Sequence, residues 1–285
     1  MEFGESYFDS LLLGVREPLG EGGQSKVSKV KSEDGVYFAV KEGPSEALCK
    51  EADFLDLFSN TQLAPRLFYR KLNSNNSLLV LEFCGSSLDS LWVQKLPIGL
   101  CCLLGKVLLS LICEMHRLGY VHGDIKPSNF LVQESSLPVI KLSDFGISGA
   151  INSERIPGHV GTPRYCSLNA HKGGTLCIRD DLESWFYMLL EMSSELPWRF
   201  QKEKRVIELS KRRSQYTGFW KSLWELVVSS SSEEILDLFS EQLSKTDVKS
   251  EELSLRLSSP AQPEETFDPW AYDLGDSLKS NVRTD

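Results

Sequence analysis

Disulfide spacing, an excess of basic charge and long uninterrupted hydrophobic runs are all missing from this 285-residue chain. Its seven cysteines, Cys49, Cys84, Cys101, Cys102, Cys113, Cys166 and Cys177, are odd in number and contain no Cys-x-x-Cys pair. That argues against both a disulfide framework and a zinc site of ordinary ligand spacing. The thiols read as reduced, so a cytoplasmic location is expected, with a nuclear one as the alternative. A net charge of −9 makes direct nucleic-acid binding unexpected, because a phosphate backbone is held mainly by lysine and arginine. The longest apolar stretch, Ile98 to Cys113, is interrupted by Lys106 and reads as a buried helix, so no membrane partner is expected. Glu2, Glu5 and Asp9 precede the short run Leu11 to Leu13, which lacks the basic lead of a secretory signal. No internal repeat is present.

What is there is a chain that is 41% hydrophobic, enough to build a substantial core in two small domains or one two-lobed domain. Glu17 to Val30 and Gly35 to Val40 read as paired strands, and Leu78 to Phe83 as another. From Leu88 onward helical spacing dominates, with Leu103, Val107, Leu108, Leu111 and Met115 in step. The expectation is an α+β fold with a β-rich N-lobe over 1–84 and an α-helical C-lobe over 85–257, shortened after about residue 200. Residues 258–285, rich in Ser, Pro and acidic groups, read as a flexible tail carrying an aromatic cluster at Phe267 to Tyr272.

The chemistry is concentrated in Val121-His122-Gly123-Asp124-Ile125-Lys126-Pro127-Ser128-Asn129 and in Ser143-Asp144-Phe145-Gly146, the latter led by strand-like Val139 to Leu142. Phosphoryl transfer needs groups that position a hydroxyl and offset charge on the transferred group. Asp124 is the candidate to orient or accept the hydroxyl proton, Lys126 supplies positive charge, and Asn129 and Asp144 are the metal ligands. Each tripeptide alone would read as turn punctuation; their joint spacing is what favours chemistry. Gly20, Gly22 and Gly23 belong to a glycine-rich loop in which Ser25 stands where a further glycine is usual, so a plain hairpin is the ordinary alternative. Tyr37-Phe38-Ala39-Val40-Lys41 strengthens the nucleotide reading, since a strand ending in lysine suits pairing with phosphates. Ser45 reads as the cap of a helix carrying Leu48, Ala52, Leu55 and Phe58. Glu51, on a different face of that helix, is the preferred partner of Lys41, with Glu46 as runner-up. The backbone of Glu82 and Cys84 is expected to meet an adenine edge, with Leu81 behind it.

These segments resemble the casein kinase I superfamily of Ser/Thr protein kinases, over about Gly20 to Trp198. The most specific part is Gly161-Thr162-Pro163-Arg164-Tyr165-Cys166-Ser167-Leu168-Asn169-Ala170-His171-Lys172, followed by Asp180 to Leu190 and Leu196-Pro197-Trp198. Ser167-Leu168-Asn169 matches the Ser-Ile-Asn-like sequence of that group. The Asn-Ala-His-Lys and Phe-Tyr-Met-Leu runs look closest to the tau-tubulin kinase branch, and Gly123 before Asp124 matches vaccinia-related kinases. The resemblance implies Mg2+ and ATP as cofactors, a protein substrate, and Val27, Ala39 and Leu131 among the nucleotide contacts. It also implies a preference for acidic or already phosphorylated sites, for which Arg164 is the anion candidate; a structural ion pair is the equal alternative. Without an arginine at Gly123, activity is expected not to depend on activation-loop phosphorylation. Asp181 is expected to brace the catalytic loop through backbone hydrogen bonds. Lys202 to Arg205 and Lys211-Arg212-Arg213 read as solvated basic helix surface, with a nuclear signal or polyanion site as the alternatives. A pseudokinase scaffold and a small-molecule kinase are the rival readings.

Overall fold

The computed structural model describes residues 4–21, 25–73, 77–91, 95–133, 139–155, 160–229 and 235. In chain order these form α1 (Glu5–Leu12), β1 (Arg16–Glu21), β2 (Lys26–Lys31), β3 (Tyr37–Gly43), α2 (Ser45–Leu57), β4 (Leu67–Lys71), β5 (Ser77–Glu82) and β6 (Ser86–Ser87). Next come α3 (Leu88–Leu91), α4 (Ile98–Arg117), β7 (Tyr120–Val121), a 3-10 turn at Pro127–Asn129, β8 (Phe130–Gln133), β9 (Val139–Leu142) and β10 (Gly149–Ala150). The remainder is helical: α5 (Leu168–His171), α6 (Ile178–Ser193), α7 (Lys204–Arg213) and α8 (Gly218–Ser229). Gly22, Gly23, the tail and its aromatic cluster lie outside the described residues.

The chain divides into two compact units. The first comprises Met1–Leu88 together with Ser128–Ser148, and the second takes the rest. The sequence reading drew one boundary at residue 84. The observed division is discontinuous because β6 pairs with β8, Ser87 opposite Leu131, which ties 128–148 to the N-terminal part.

In the first unit an antiparallel sheet runs in the order β1-β2-β3-β5-β4. Its alternating residues Val30, Phe38, Val40, Leu78 and Val80 form one buried face, and α1 covers that face with Phe8 and Leu11. Phe8 stacks on Tyr69 at 5.0 Å and meets Phe38 edge-on. Sequence patterning did not reveal α1, since only an amphipathic handful of residues carries it. On α2, Leu48, Ala52 and Leu55 are buried as the spacing predicts. Two details differ from expectation. Ser45 is the first helical residue and Pro44 occupies the cap position, with no side-chain capping bond. Pro44 has ψ 138°, outside the helical range, and the backbone turns helical at Ser45, one residue earlier than a Ser45 cap would place it. Glu51 is itself buried, adjoining the apolar stripe rather than facing away from it.

The second unit is built on α4 and α6. Leu100, Leu104, Leu108, Ile112 and Met115 bury one side of α4. By length and composition α4 is also the one described helix long and apolar enough to cross a membrane. Almost all of α6 is buried, and Trp185 donates its indole N–H to the Gly105 carbonyl at 3.1 Å, which locks the two helices in register. Tyr216 and Trp224 pack on Phe186 of α6, each with ring centroids 5.0 Å away. All seven cysteines are free thiols.

Candidate active site

Lys41 lies near the end of β3, opposite Val27 and Leu79, with its side chain 8% exposed. Its ammonium donates to Glu51 Oε2 at 2.6 Å and to Asp144 Oδ1 at 2.9 Å. Burial alone would lower its pKa, but the two carboxylates outweigh that and raise it, so Lys41 stays charged. Burial pushes the Glu51 carboxyl up, with the Lys41 ammonium opposing. Glu46, the alternative partner, is exposed on the first turn of α2.

Asp144 reaches Lys41 from a left-handed backbone, φ 67°, a conformation unusual for a residue with a side chain. Neighbouring packing holds it there. Phe145 is fully buried against α2, with its ring 6.0 Å from Phe54 and 5.3 Å from Phe58. Ser143 donates both its N–H and its hydroxyl to the Asn129 carbonyl, at 2.9 and 3.1 Å, which joins the two metal-ligand candidates. The other nucleotide candidates belong to the same unit. Gly20 lies on β1, where the pairing with β2 shifts register between Pro18 and Gly20, and Ala39 pairs with Leu81. Glu82 is pinned through its side chain to Lys141 at 2.6 Å and through its N–H to the Arg66 carbonyl at 2.8 Å. Its own carbonyl accepts the Cys84 thiol at 3.6 Å. The Glu82 amide is therefore committed to the Arg66 carbonyl.

In the second unit, Asp124 receives a hydrogen bond on each oxygen: the Thr162 N–H donates to Oδ1 at 2.7 Å and Lys126 Nζ to Oδ2 at 2.6 Å. The loop carrying it is shaped from beneath by Asp181, fully buried on α6. The amides of His122 and Gly123 donate to its two oxygens at 2.8 Å each, and His116 Nε2 lies 3.0 Å away. Burial works to raise the Asp181 pKa, but the His116 contact and these N–H groups win and hold it below the usual carboxylate range. Gly123 adopts φ 82°, which a residue without Cβ takes at little cost.

Residues 13–250 match the protein kinase domain family. The chain belongs to that family. A Dictyostelium discoideum protein named "Probable serine/threonine-protein kinase" is 35% identical over 156 residues, covering 50% of this chain and 32% of that protein, so the match spans about a third of the relative's length. The solved structure of vaccinia related kinase 3 overlays with a TM-score of 0.70 at 16% identity, covering 86% of this chain and 96% of that one, which shows the shared fold. This kinase domain thus has the β-sheet N-lobe and helical C-lobe of its family.

The donor set fits magnesium and a nucleotide triphosphate. Asp144 is 45% exposed and, with the Asn129 amide, offers hard oxygen ligands of the sort Mg2+ takes alongside phosphate oxygens, while Lys41 supplies a fixed cation. Arg164 is placed otherwise than a free anion receptor would be: its guanidinium lies 3.5 Å from buried Glu191 and donates to the Arg199 carbonyl at 3.2 Å. Glu191 also accepts the Tyr165 hydroxyl at 2.5 Å. Sequence reasoning missed Thr162, whose contribution is a backbone N–H that residue identity cannot reveal. It also missed Asp180, which gathers Ser167, Asn169, the Cys177 N–H and Arg155 around one carboxylate. The spacing of Cys177 to Asp180 at a helix start was the available signal.

Proposed function

We propose that this chain is an active Ser/Thr protein kinase of casein kinase I type. The supporting observation is Asp124, a carboxylate oriented on one oxygen by a loop N–H and on the other by Lys126. So held, it presents a fixed acceptor for the proton of an incoming hydroxyl, and Lys126 offsets negative charge building beside it. Magnesium-ATP supplies the activated phosphoryl group and the divalent charge that offsets it. Lys41, kept charged by Glu51 and Asp144, supplies positive charge for phosphate oxygens, and Asp144 and Asn129 supply the metal ligands. The stretch Gly161 to Lys172 carries the casein kinase I assignment and a protein acceptor. Independence from activation-loop phosphorylation is part of this reading, because Gly123 stands where an arginine would be needed to clamp a phosphorylated loop. An acidic or primed acceptor remains the expected class, with Arg164 able to serve it only by sharing its guanidinium with Glu191.

Transfer of labelled phosphate from magnesium-ATP to casein and to an acidic peptide tests this, with Asp124→Asn and Lys41→Met as controls. Transfer by the wild type that both substitutions abolish is the expected result. Nucleotide binding without any transfer would replace the enzyme with a scaffold.

A further inference from the structure

The basic triplet Lys211-Arg212-Arg213 closes α7, and its members differ. Arg212 and Arg213 are exposed, as a solvated helix surface predicts, but Lys211 is only 3% exposed. Its ammonium donates to the carbonyls of Pro163 at 2.8 Å and Cys166 at 2.6 Å, and lies 3.3 Å from His171 Nε2. It also sits 4.8 Å from the centre of the Tyr187 ring and 5.7 Å from that of Trp198. Among the described residues it has no carboxylate ion pair. Glu183, the acid acting on it through space, spends one oxygen on the Leu168 N–H at 2.9 Å and the Tyr187 hydroxyl at 2.7 Å. A buried ammonium without a counter-ion is expensive, and here it is solvated by a loop backbone instead.

That loop is the one that holds Asp124. Thr162 gives its N–H to Asp124 and its carbonyl to the amides of Tyr165 and Cys166, at 2.9 and 2.8 Å. The Arg164 carbonyl accepts the Trp198 indole N–H at 2.8 Å. Lys211 and Trp198 together occupy the carbonyls of Pro163, Arg164 and Cys166, so the turn has little freedom left.

Resting on the kinase reading, we propose that Lys211 is a positioning residue for the phosphoacceptor side: by gripping the turn Pro163 to Cys166 it fixes Thr162 against Asp124 and sets the surface on which a protein acceptor docks. The groups facing it are compatible. Burial, then Lys211 itself, draws His171 down to about 4, so its ring is neutral near pH 7 and Nε2 can accept. Burial lowers Lys211 to about 8, with Cys166 and Glu183 opposing. Cys166 is pushed up to about 11 and Tyr187 well above its ordinary value, both chiefly by burial, and on α7 itself Glu208 is paired to Arg212. The grip is therefore cationic at neutral pH and loses its charge above about pH 8.

The test compares wild type, Lys211→Met and Lys211→Arg in the full chain. Hydrogen exchange of peptides from 160–168 is read against peptides from β2 to β5, alongside KM for casein and for ATP from pH 6.5 to 9.5. For Lys211→Met the expected result is about tenfold faster exchange in 160–168 alone and about a tenfold higher casein KM, with ATP KM unchanged. The wild-type rise in casein KM above pH 8 should disappear in Lys211→Met and move beyond the range in Lys211→Arg. Unchanged local exchange and casein KM in Lys211→Met would overturn the inference, as would exchange that rises throughout both units. A wild type that transfers nothing would instead overturn the kinase reading, and the exchange comparison would still decide whether Lys211 holds the turn.

Discussion

In the first unit the buried ammonium of Lys41 meets two carboxylates, whereas in the second the buried ammonium of Lys211 meets two carbonyls. The contrast extends further. Lys141 pairs with Glu82 in the first unit, while in the second Asp181 takes backbone amides and Lys95 takes the carbonyls of Glu191 and Ser194. Side-chain pairs fix one element against another, here β3 against α2 and the turn at Asp144. Charges spent on backbone fix the path of a loop. The Lys41 cluster thus depends on charge balance, and the turn held by Lys211 on loop geometry.

The comparison can be pressed hardest at the two candidate catalytic residues, Asp124 and Lys41. Asp124→Asn should lower transfer by about 10^3-fold and cost about 1 kcal/mol of stability, because the amide oxygen can accept from Thr162 but its NH2 then faces the Lys126 ammonium. Lys41→Met should cost about 10^2-fold or more in transfer and also roughly 3 kcal/mol of stability, since Glu51 stays buried without its partner. Burial raises the Glu51 pKa above its unfolded value, so in this variant the cost applies at neutral pH and is relieved as pH falls and Glu51 protonates. A melting temperature that rises from pH 7 to pH 5 checks it.

Asp181→Asn sharpens the other half. Two loop amides compete for one remaining acceptor, so about 2 kcal/mol of stability should be lost, together with activity. Asp181 has a lowered folded pKa, so its contribution is complete above the unfolded carboxylate pKa and disappears as pH falls through the folded value. The variant's acid unfolding curve should be correspondingly shallower. Gly161→Ala should cost about 1–3 kcal/mol, because φ is +77° and a Cβ would stand 2.7 Å from the Gly123 carbonyl oxygen. Glu46→Ala should change stability by less than about 0.5 kcal/mol and leave transfer intact, since Glu51 holds Lys41.

Much of the cluster around Lys41 was legible beforehand, because its residues stand near the ends of short apolar strands or in loops of distinctive composition. Lys41 lies near the end of a strand and Asp144 just after one, and both could be named as candidates on that basis. The choice of Glu51 over Glu46 was readable only as a preference, since both belong to one helix and burial decides between them. The expected cap at Ser45 failed because the helix begins one residue earlier, with Ser45 already in its first turn and Pro44 at the cap position. Arg164 stood equally between an anion receptor and a structural ion pair, because its partner Glu191 lies 27 residues further along the chain. Lys211 was misread with its neighbours as solvated, because three adjacent basic residues look alike until one of them turns inward.

Residue types at short spacing determined the fold class, the strand and helix periods and the family chemistry, since these depend on local geometry and on groups that phosphoryl transfer requires. Tertiary structure alone decided which charges are buried and what satisfies them. Lys211 lies 48 residues from Pro163, and Asp124 lies 38 from Thr162. Contacts over such separations arise from packing, and their partners are often backbone atoms, which every residue carries and no sequence pattern marks.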